Sequence, residues 1–284
     1  MDKTFNLITK CVVLKITSKL LVIFFVDYIV FFVYNIIENI FKKEKYMDSY
    51  KELTKNVNKD LKKYIEDNIF PEYSKNDGGH NIVHILEVIK RSFILNDEFN
   101  LNLNEDMMFT IAACHDWGKY INHKTHHLIA ANNFINDDNF KSFFSDDDRQ
   151  TIKEAIEDHR SSKEDEPRSV YGKLISSADR NTSIKIVFIR SFFVAHERMP
   201  EMEIDSYLDY TIKRLSIKYD EENPENMFYE DDVYKDFLVD MRKLLKNKKE
   251  FKEEYCKINN IKSRTNLVQD ENEMFKLLGE KFEI

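Results

Sequence analysis

Apolar residues recur at steps of three and four positions from Met47 onward, the spacing that places side chains on one face of an α-helix. Prolines and glycines interrupt this pattern and mark the loops. No alternation of apolar and polar residues competes as a strand signal. The predicted helices cover residues 48–69, 81–97, 104–117, 124–136, 147–160, 168–196, 203–219 and 228–255. The pattern therefore predicts an all-α fold.

Composition favours the same fold class and narrows the function. Only five glycines and four prolines are present, so short polar loops are expected rather than the tight turns of a sheet. The net charge of -8 argues against a nucleic-acid polymer as partner, because phosphate backbones bind clustered lysine and arginine. The three cysteines are far apart and lack CxxC spacing, which favours a reducing, cytoplasmic location.

Residues 20–37 form the most apolar segment of the chain. They fall just short of the ~20 residues that a bilayer core requires, Asp27 lies near their middle, and lysines flank both ends. Three interpretations of residues 1–46 stay open: a membrane anchor, a mis-assigned start upstream of Met47, or a buried or interfacial helix. Residues 47–284 are expected to form the functional domain and a C-terminal helical extension.

An ordered series of histidines and aspartates carries the strongest chemical signal. It runs His84, His115-Asp116, His126-His127, His159 and Asp179. Imidazole and carboxylate are ligands that divalent iron, manganese or zinc accept. A single histidine is more often a surface or core residue, but that explanation would have to hold independently at every position of the series. The series therefore predicts a metal site between helices.

Three segments of this series resemble the HD-domain superfamily of metal-dependent phosphohydrolases. They are His84 in His-Ile-Leu-Glu-Val, the run HDWGK at 115–119, and Asp179 in Ile-Ser-Ser-Ala-Asp-Arg. The family pattern is H…HD…D, and the resemblance covers about residues 78–185. It implies an HD-domain helical bundle, with additional N- and C-terminal helices on either side, in which consecutive helices carry the metal ligands.

Dinuclear members of the superfamily carry two further histidines, and this chain has candidates for both. His126 stands four residues before the small pair Ala130-Ala131, as the family's ligand does. His127 is its neighbour, about 100° away around the helix axis, so both stay candidates. The second is His159 in Glu-Ala-Ile-Glu-Asp-His-Arg. The resemblance thus implies two divalent ions, with iron or manganese expected and zinc, magnesium, nickel or cobalt as alternatives.

The resemblance also assigns a role to each ligand. One ion would be bound by His84, His115 and Asp179, and the other by His126 and His159. Asp116 would bridge the two ions, because a carboxylate has two oxygens whereas a neutral imidazole has one lone pair. A water held between the ions is the expected nucleophile, since shared coordination lowers the pKa of that water toward neutrality.

Further cationic or ionisable residues flank the expected ligands. Lys119, Arg160 and Arg180 each lie within four residues of a ligand and could neutralise the charge of a bound phosphate. Lys119 belongs to the HDxGK run and is expected to take part in catalysis, whereas Arg180 is equally well explained as an ordinary helix-end cation. His80 lies one helical turn before His84 and could act as a general acid or hold a carboxylate that supports a ligand. A helix-capping or surface role explains it equally well.

The expected function is cleavage of a phosphoester or phosphoanhydride in a small, nucleotide-like phosphorylated substrate. The alternative is a non-catalytic HD-fold signalling module, either soluble or attached to a membrane through residues 20–37, that binds a nucleotide or a partner without turnover. The complete ligand set favours the enzyme, because a binder has no requirement for every ligand. Symmetrical dinucleoside tetraphosphatases are similar, but they read His-Thr-Thr-Gly where this chain reads His159-Arg160-Ser-Ser, so the substrate stays open. The oligomeric state is not encoded.

The expected ligands all lie beyond residue 80, which makes a prediction about the first 46 residues. A chain that starts at Met47 should retain its full metal content and activity. Elemental analysis of the purified short and long chains would test this expectation. Loss of metal from the short chain alone would contradict it, and recovery of peptides from residues 1–46 in a membrane fraction would establish the anchor.

Overall fold

Polar residues at the helix ends set the boundaries of the helices in the computed structural model. It describes residues 49–77, 79–161, 165–199, 202–221 and 227–259, with the backbone alone for 193–198. The side chains of several N-cap residues accept a backbone N–H from the first helical turn, which would otherwise lack a partner. These residues are Asn58, Asn81, Asn104, Ser145, Ser169, Asp231 and Asn247.

The described residues form α-helices joined by short connections. The helices are α1 (Lys59–Asn68), α2 (Ile82–Glu98), α3 (Glu105–Cys114), α4 (His126–Asn136), α5 (Asp146–Asp158), α6 (Val170–Ala178), α7 (Ile184–Arg198), α8 (Ile204–Lys218), α9 (Asp232–Lys246) and α10 (Lys248–Ile258). Residues 49–53 are also helical, and short 3₁₀ helices cover Phe70–Lys75 and Asp138–Ser142. No strand occurs in these parts of the chain, so the prediction of an all-α fold is confirmed.

Helix α3 lies at the centre of the first half of the fold. Every residue from Met107 to Cys114 is buried, and α2, α4, α5 and α6 all contact this helix. A helix that is apolar all round belongs in a core, because no face of it gains from contact with water. The central position matters for the site, since α3 ends directly before His115.

A second core joins α7 to the C-terminal helices α8, α9 and α10. Aromatic rings dominate it: Phe188 lies 4.7 Å from Phe251 and 5.0 Å from Tyr255 between ring centroids. The Tyr255 hydroxyl donates to the Tyr207 hydroxyl at 3.0 Å, which satisfies polar groups that burial would otherwise leave without a partner. These helices therefore form a packed extension rather than a loose tail.

The predicted helix over 168–196 is wrong as one continuous element. It divides into α6 and α7, because the backbone N–H of Asp179 closes the end of α6 on the carbonyls of Ile175 and Ser177. Residues 181–183 then form the connection to α7. The apolar pattern continues across the break, whereas the break itself places Asp179 at a helix end.

Two other predicted helices are also interrupted at asparagine. Asn58 separates residues 49–53 from α1, and its side chain accepts the N–H groups of Asp60 and Leu61. Asn247 separates α9 from α10 and accepts the N–H of Glu250. An asparagine side chain can replace the intrahelical acceptor at such positions, so it starts a new helix within an otherwise unbroken apolar pattern.

Residues 1–48, including the apolar segment 20–37, lie outside the described part of the chain. Within the described residues, no helix combines the length and the apolar character needed to cross a bilayer.

A buried ion pair links the two halves of the fold. Both terminal nitrogens of Arg91 on α2 contact the carboxylate of Asp231, with Nη2 donating to Oδ1 at 3.1 Å. Asp231 also caps α9 by accepting the N–H of Tyr234 at 2.9 Å. Both side chains of the pair are nearly inaccessible to solvent. Removal of one partner would leave a buried charge without compensation.

This pair yields a test of how strongly the halves depend on each other. Asp231→Asn keeps the helix cap but removes the charge, so it should lower the free energy of unfolding by about 3–5 kcal/mol. The control Asp232→Asn makes the same change at the next residue, whose side chain is exposed, and should cost less than about 1 kcal/mol. Urea denaturation of both variants measures the difference, and equal stabilities would contradict the proposed importance of the pair.

Candidate metal centre

Helix ends carry the side chains of the candidate centre. His115, His159 and Asp179 are the C-cap residues of α3, α5 and α6. His126 is the first residue of α4, and His84 lies in the first turn of α2. The three C-terminal helix ends bring negative partial charge toward the cluster, which favours a bound cation.

The two oxygens of Asp116 face two different sets of ligand atoms. Oδ2 lies 3.6 Å from His115 Nε2 and 3.7 Å from His84 Nε2. Oδ1 lies 3.1 Å from His126 Nε2 and 3.7 Å from His159 Nε2. One carboxylate, 1% exposed, thus separates two pairs of imidazoles.

Asp179 joins the first of these sets. Its Oδ1 lies 3.0 Å from His84 Nε2 and 4.0 Å from His115 Nε2. The ligand atoms of His84, His115 and Asp179 are close enough together to hold one metal ion, and so are those of His115, Asp116 and His159.

Backbone contacts fix the tautomer of three histidines in the same way. Nδ1 of His115 donates to the carbonyl of Ala112 at 2.8 Å, and Nδ1 of His159 donates to that of Ile156 at 2.7 Å. Nδ1 of His126 likewise donates to the residue three positions earlier, at 2.8 Å. A carbonyl can only accept, so Nδ1 carries the proton and Nε2 of the neutral ring presents a bare lone pair.

No hydrogen-bond donor lies between these bare nitrogens. His126 Nε2 and His159 Nε2 are 3.1 Å apart, and the buried Nε2 atom of His115 has no hydrogen-bond partner. Buried acceptors that face each other in this way cost free energy unless a cation or a proton lies among them. The residues therefore fit a divalent metal, which accepts imidazole nitrogen and carboxylate oxygen together.

Burial favours the neutral form of two histidines of the cluster, His84 and His159. It lowers the pKa of His84 to about 4, and the positive charge of Arg190 adds to the effect. Burial also holds the pKa of His159 well below the ordinary histidine value, and His115 adds to that shift. Near neutral pH these rings are therefore in the form that binds metals.

Neighbouring imidazole and ammonium groups favour the ionised form of the carboxylates. Burial by itself would raise the pKa of Asp116, but His115 and Lys119 outweigh it and hold that pKa well below its usual range. Burial opposes ionisation of Asp179 too, and contact with His84 again lowers the pKa. The cluster thus offers two anions to a cation.

Gly118 allows the chain to turn directly after the His-Asp pair. Its φ is +91°, and an added Cβ would lie 3.0 Å from both Asn133 Nδ2 and Ile129 Cγ2. A side chain would be strained there in backbone conformation and in space. The turn returns the chain so that Lys119 Nζ lies 3.0 Å from each oxygen of Asp116. The glycine of the HDxGK run is therefore required by geometry.

The structure does not bring His127 into the cluster. Its ring belongs to a separate cavity, which Glu157 and Arg168 also line. Successive residues of a helix diverge by about 100°, so the adjacent His126 faces the cluster while His127 does not. The structure thus places His126, and not His127, among the candidate ligands.

The cluster opens into a cleft of about 350 Å³. All four of the additional residues expected from the sequence, namely His80, Lys119, Arg160 and Arg180, line it. His80 Nδ1 lies 2.6 Å from the carboxylate of Asp77. Arg160 donates to the carbonyl of Lys124 at 2.7 Å, and Arg180 donates to the Ser176 hydroxyl at 3.0 Å.

Several residues of the cleft were not anticipated from the sequence. Arg190 of α7 and His123 lie beside the cluster, and His123 stacks on His126 with 6.0 Å between ring centroids. Helix α8 forms one wall with Tyr207, Tyr210, Thr211, Arg214, Leu215 and Lys218. His123 carries a weak signal, since it precedes the His126-His127 pair by three residues, whereas α8 lies outside every motif in the sequence.

Comparison with known families identifies the part of the chain that holds the cluster. The HD domain family matches residues 81–183, from the N-cap of α2 to the residue before α7. This range contains all the side chains of the cluster. The chain therefore contains an HD domain over these residues. No curated protein and no solved structure matches the chain.

Proposed function

We propose that this protein is a phosphohydrolase that uses two divalent ions to cleave a small phosphorylated, nucleotide-like compound. The observation that carries the proposal is the division of Asp116 between two sets of bare imidazole nitrogens. A binding module has no requirement for a buried carboxylate with a ligand set on each oxygen. The proposed ligands of one ion are His84, His115 and Asp179, and those of the other are His126 and His159, with Asp116 shared.

The residues of the chain have distinct tasks in this proposal. When bound, divalent ions supply polarisation of water and neutralisation of phosphate charge. Asp116 holds a negative charge at the centre of the cluster and presents one oxygen to each of the two ligand sets. Lys119, equidistant from both Asp116 oxygens, is placed to contact a phosphate oxygen at the same point. We assign catalysis to these two residues.

The charge of the cleft supports a phosphorylated substrate. The whole chain carries a net charge of -8, yet the side chains that line the cleft include six lysines and arginines against two carboxylates. A concave site of one sign attracts small ions of the opposite sign. Arg160 and Arg180 are the residues proposed to bind substrate phosphate from the HD domain, with His80 at the side of the cleft.

Metal content tests the dinuclear proposal. The folded protein should bind about two equivalents of iron or manganese, the ions that suit mixed nitrogen and oxygen ligands. His126→Ala should lower the content toward one equivalent. His127→Ala is a matched control at the next residue and should leave it unchanged, because that ring lines a different cavity. If the parent protein binds one metal ion and both variants have the same metal content, the dinuclear proposal is wrong and the protein has a single-metal site.

Substitution of the shared carboxylate tests the mechanism. Asp116→Asn should reduce turnover of a substrate found in a phosphatase screen by more than about 100-fold, or about 2.7 kcal/mol of transition-state stabilisation. The amide has no charge and only one oxygen, so it cannot serve both ligand sets. Circular dichroism would confirm that the variant folds. A folded variant that keeps more than about a tenth of the parent rate, a loss of about 1.4 kcal/mol, would refute the mechanism.

A further inference from the structure

Helix α8 presents a polar stripe to the cleft. Tyr207, Thr211 and Leu215 are buried along this face, and Tyr210, Arg214 and Lys218 follow at steps of four residues with exposed side chains. A rise of 1.5 Å per residue makes the exposed stripe about 12 Å long. Two of its three side chains are cations, so this wall favours an extended anion rather than a compact one.

Arg190 places another cation between this wall and the metal cluster. Its Nη1 donates to Asn181 Oδ1 at 3.1 Å, and Asn181 Nδ2 contacts the hydroxyl of Tyr219 at 3.5 Å. Asn181 follows Asp179 by two residues, and Tyr219 follows the last residue of α8. Asn181 therefore contacts both Arg190 and the residue that caps the end of α8.

The positive charge of this region is not compensated locally. The carboxylates near the cluster have close cationic or imidazole partners: Asp77 contacts His80, Asp116 contacts Lys119, and Asp179 contacts His84. Arg190 and Arg214 form no ion pair within the described part of the chain, although both line the cleft. A single phosphate at the cluster would be matched by Lys119 and the ions and would leave both guanidinium groups without an anion.

We infer that Arg190 and Arg214 form a subsite for a second phosphate, so that the substrate carries two or more linked phosphates. A guanidinium group donates two parallel hydrogen bonds that match the oxygens of a phosphate. The reaction would add water across one P–O–P bond and release two phosphate products, with no further reactant. Cleavage rests on the proposed function, whereas binding of linked phosphates does not.

Linked phosphates occur in nucleotides and in inorganic polyphosphate, and Tyr210 favours a nucleotide. This residue is 46% exposed and lies one helical turn before Arg214 on the same face. An aromatic ring at this position can stack on a nucleobase, which an inorganic chain lacks.

Binding of uncleavable ligands to the full chain loaded with manganese tests the subsite. The probes are methylenediphosphonate, which has two linked phosphoryl groups, and inorganic phosphate, which has one. The Kd for methylenediphosphonate, measured by calorimetry, should be at least about tenfold higher in Arg214→Gln and in Arg190→Gln than in the parent protein, because each variant loses hydrogen bonds to charged groups. The Kd for phosphate should change less than about twofold. Lys213→Gln, an exposed neighbour that does not line the cleft, is the control and should match the parent.

Equal losses for both ligands, or none, would overturn the subsite. Tyr210→Ala supports a nucleotide if it weakens α,β-methylene-ADP but not methylenediphosphonate, and supports inorganic polyphosphate if neither ligand responds. If the two arginine variants weaken binding of methylenediphosphonate but not of phosphate, and the parent protein hydrolyses no phosphorylated compound, the subsite stands and the proposed hydrolase function is wrong. If the parent hydrolyses p-nitrophenyl phosphate but the variants weaken binding of both ligands equally or not at all, the hydrolase function stands and the subsite is wrong.

Discussion

The position of Asp116 constrains the rest of the structure. A carboxylate that is buried at the end of the central helix α3 must be matched by positive charge or by ligands, because an isolated ion in that environment is very costly. Lys119 provides one partner through the turn at Gly118. Two pairs of imidazoles surround the remaining space. One ring follows α3 itself, and the ends of three further helices, α2, α4 and α5, deliver the others.

The sequence predicts the cluster better than it predicts the surroundings. His84, His115 and Asp179 stand in short motifs whose spacing reflects the local geometry of helix ends, and the structure brings them together. The choice between His126 and His127 depends on which way α4 is rotated in the bundle. That rotation follows from packing against α5, which no local pattern records.

The residues that sequence reasoning missed depend on tertiary structure. Arg190 reads as one charge in an apolar run, because its role appears only when α6 and α7 separate and Asn181 orients the guanidinium group. The stripe on α8 comes from a region without motifs and lines the cleft because α8 packs in one core with α7, α9 and α10. The breaks at Asn58, Asp179 and Asn247 were missed because polar caps interrupt helices without interrupting apolar periodicity.

The two walls of the cleft come from different stretches of the chain. The candidate metal ligands belong to the HD domain, whereas Arg190 and α8 follow it in the sequence and can change independently. The family match ends at residue 183, before Arg190 and the whole of α8. Substitutions beyond that point can alter which molecules enter without disturbing the metal ligands. Proteins that share these candidate ligands can therefore evolve different choices of bound molecule by changes in α7 and α8 alone.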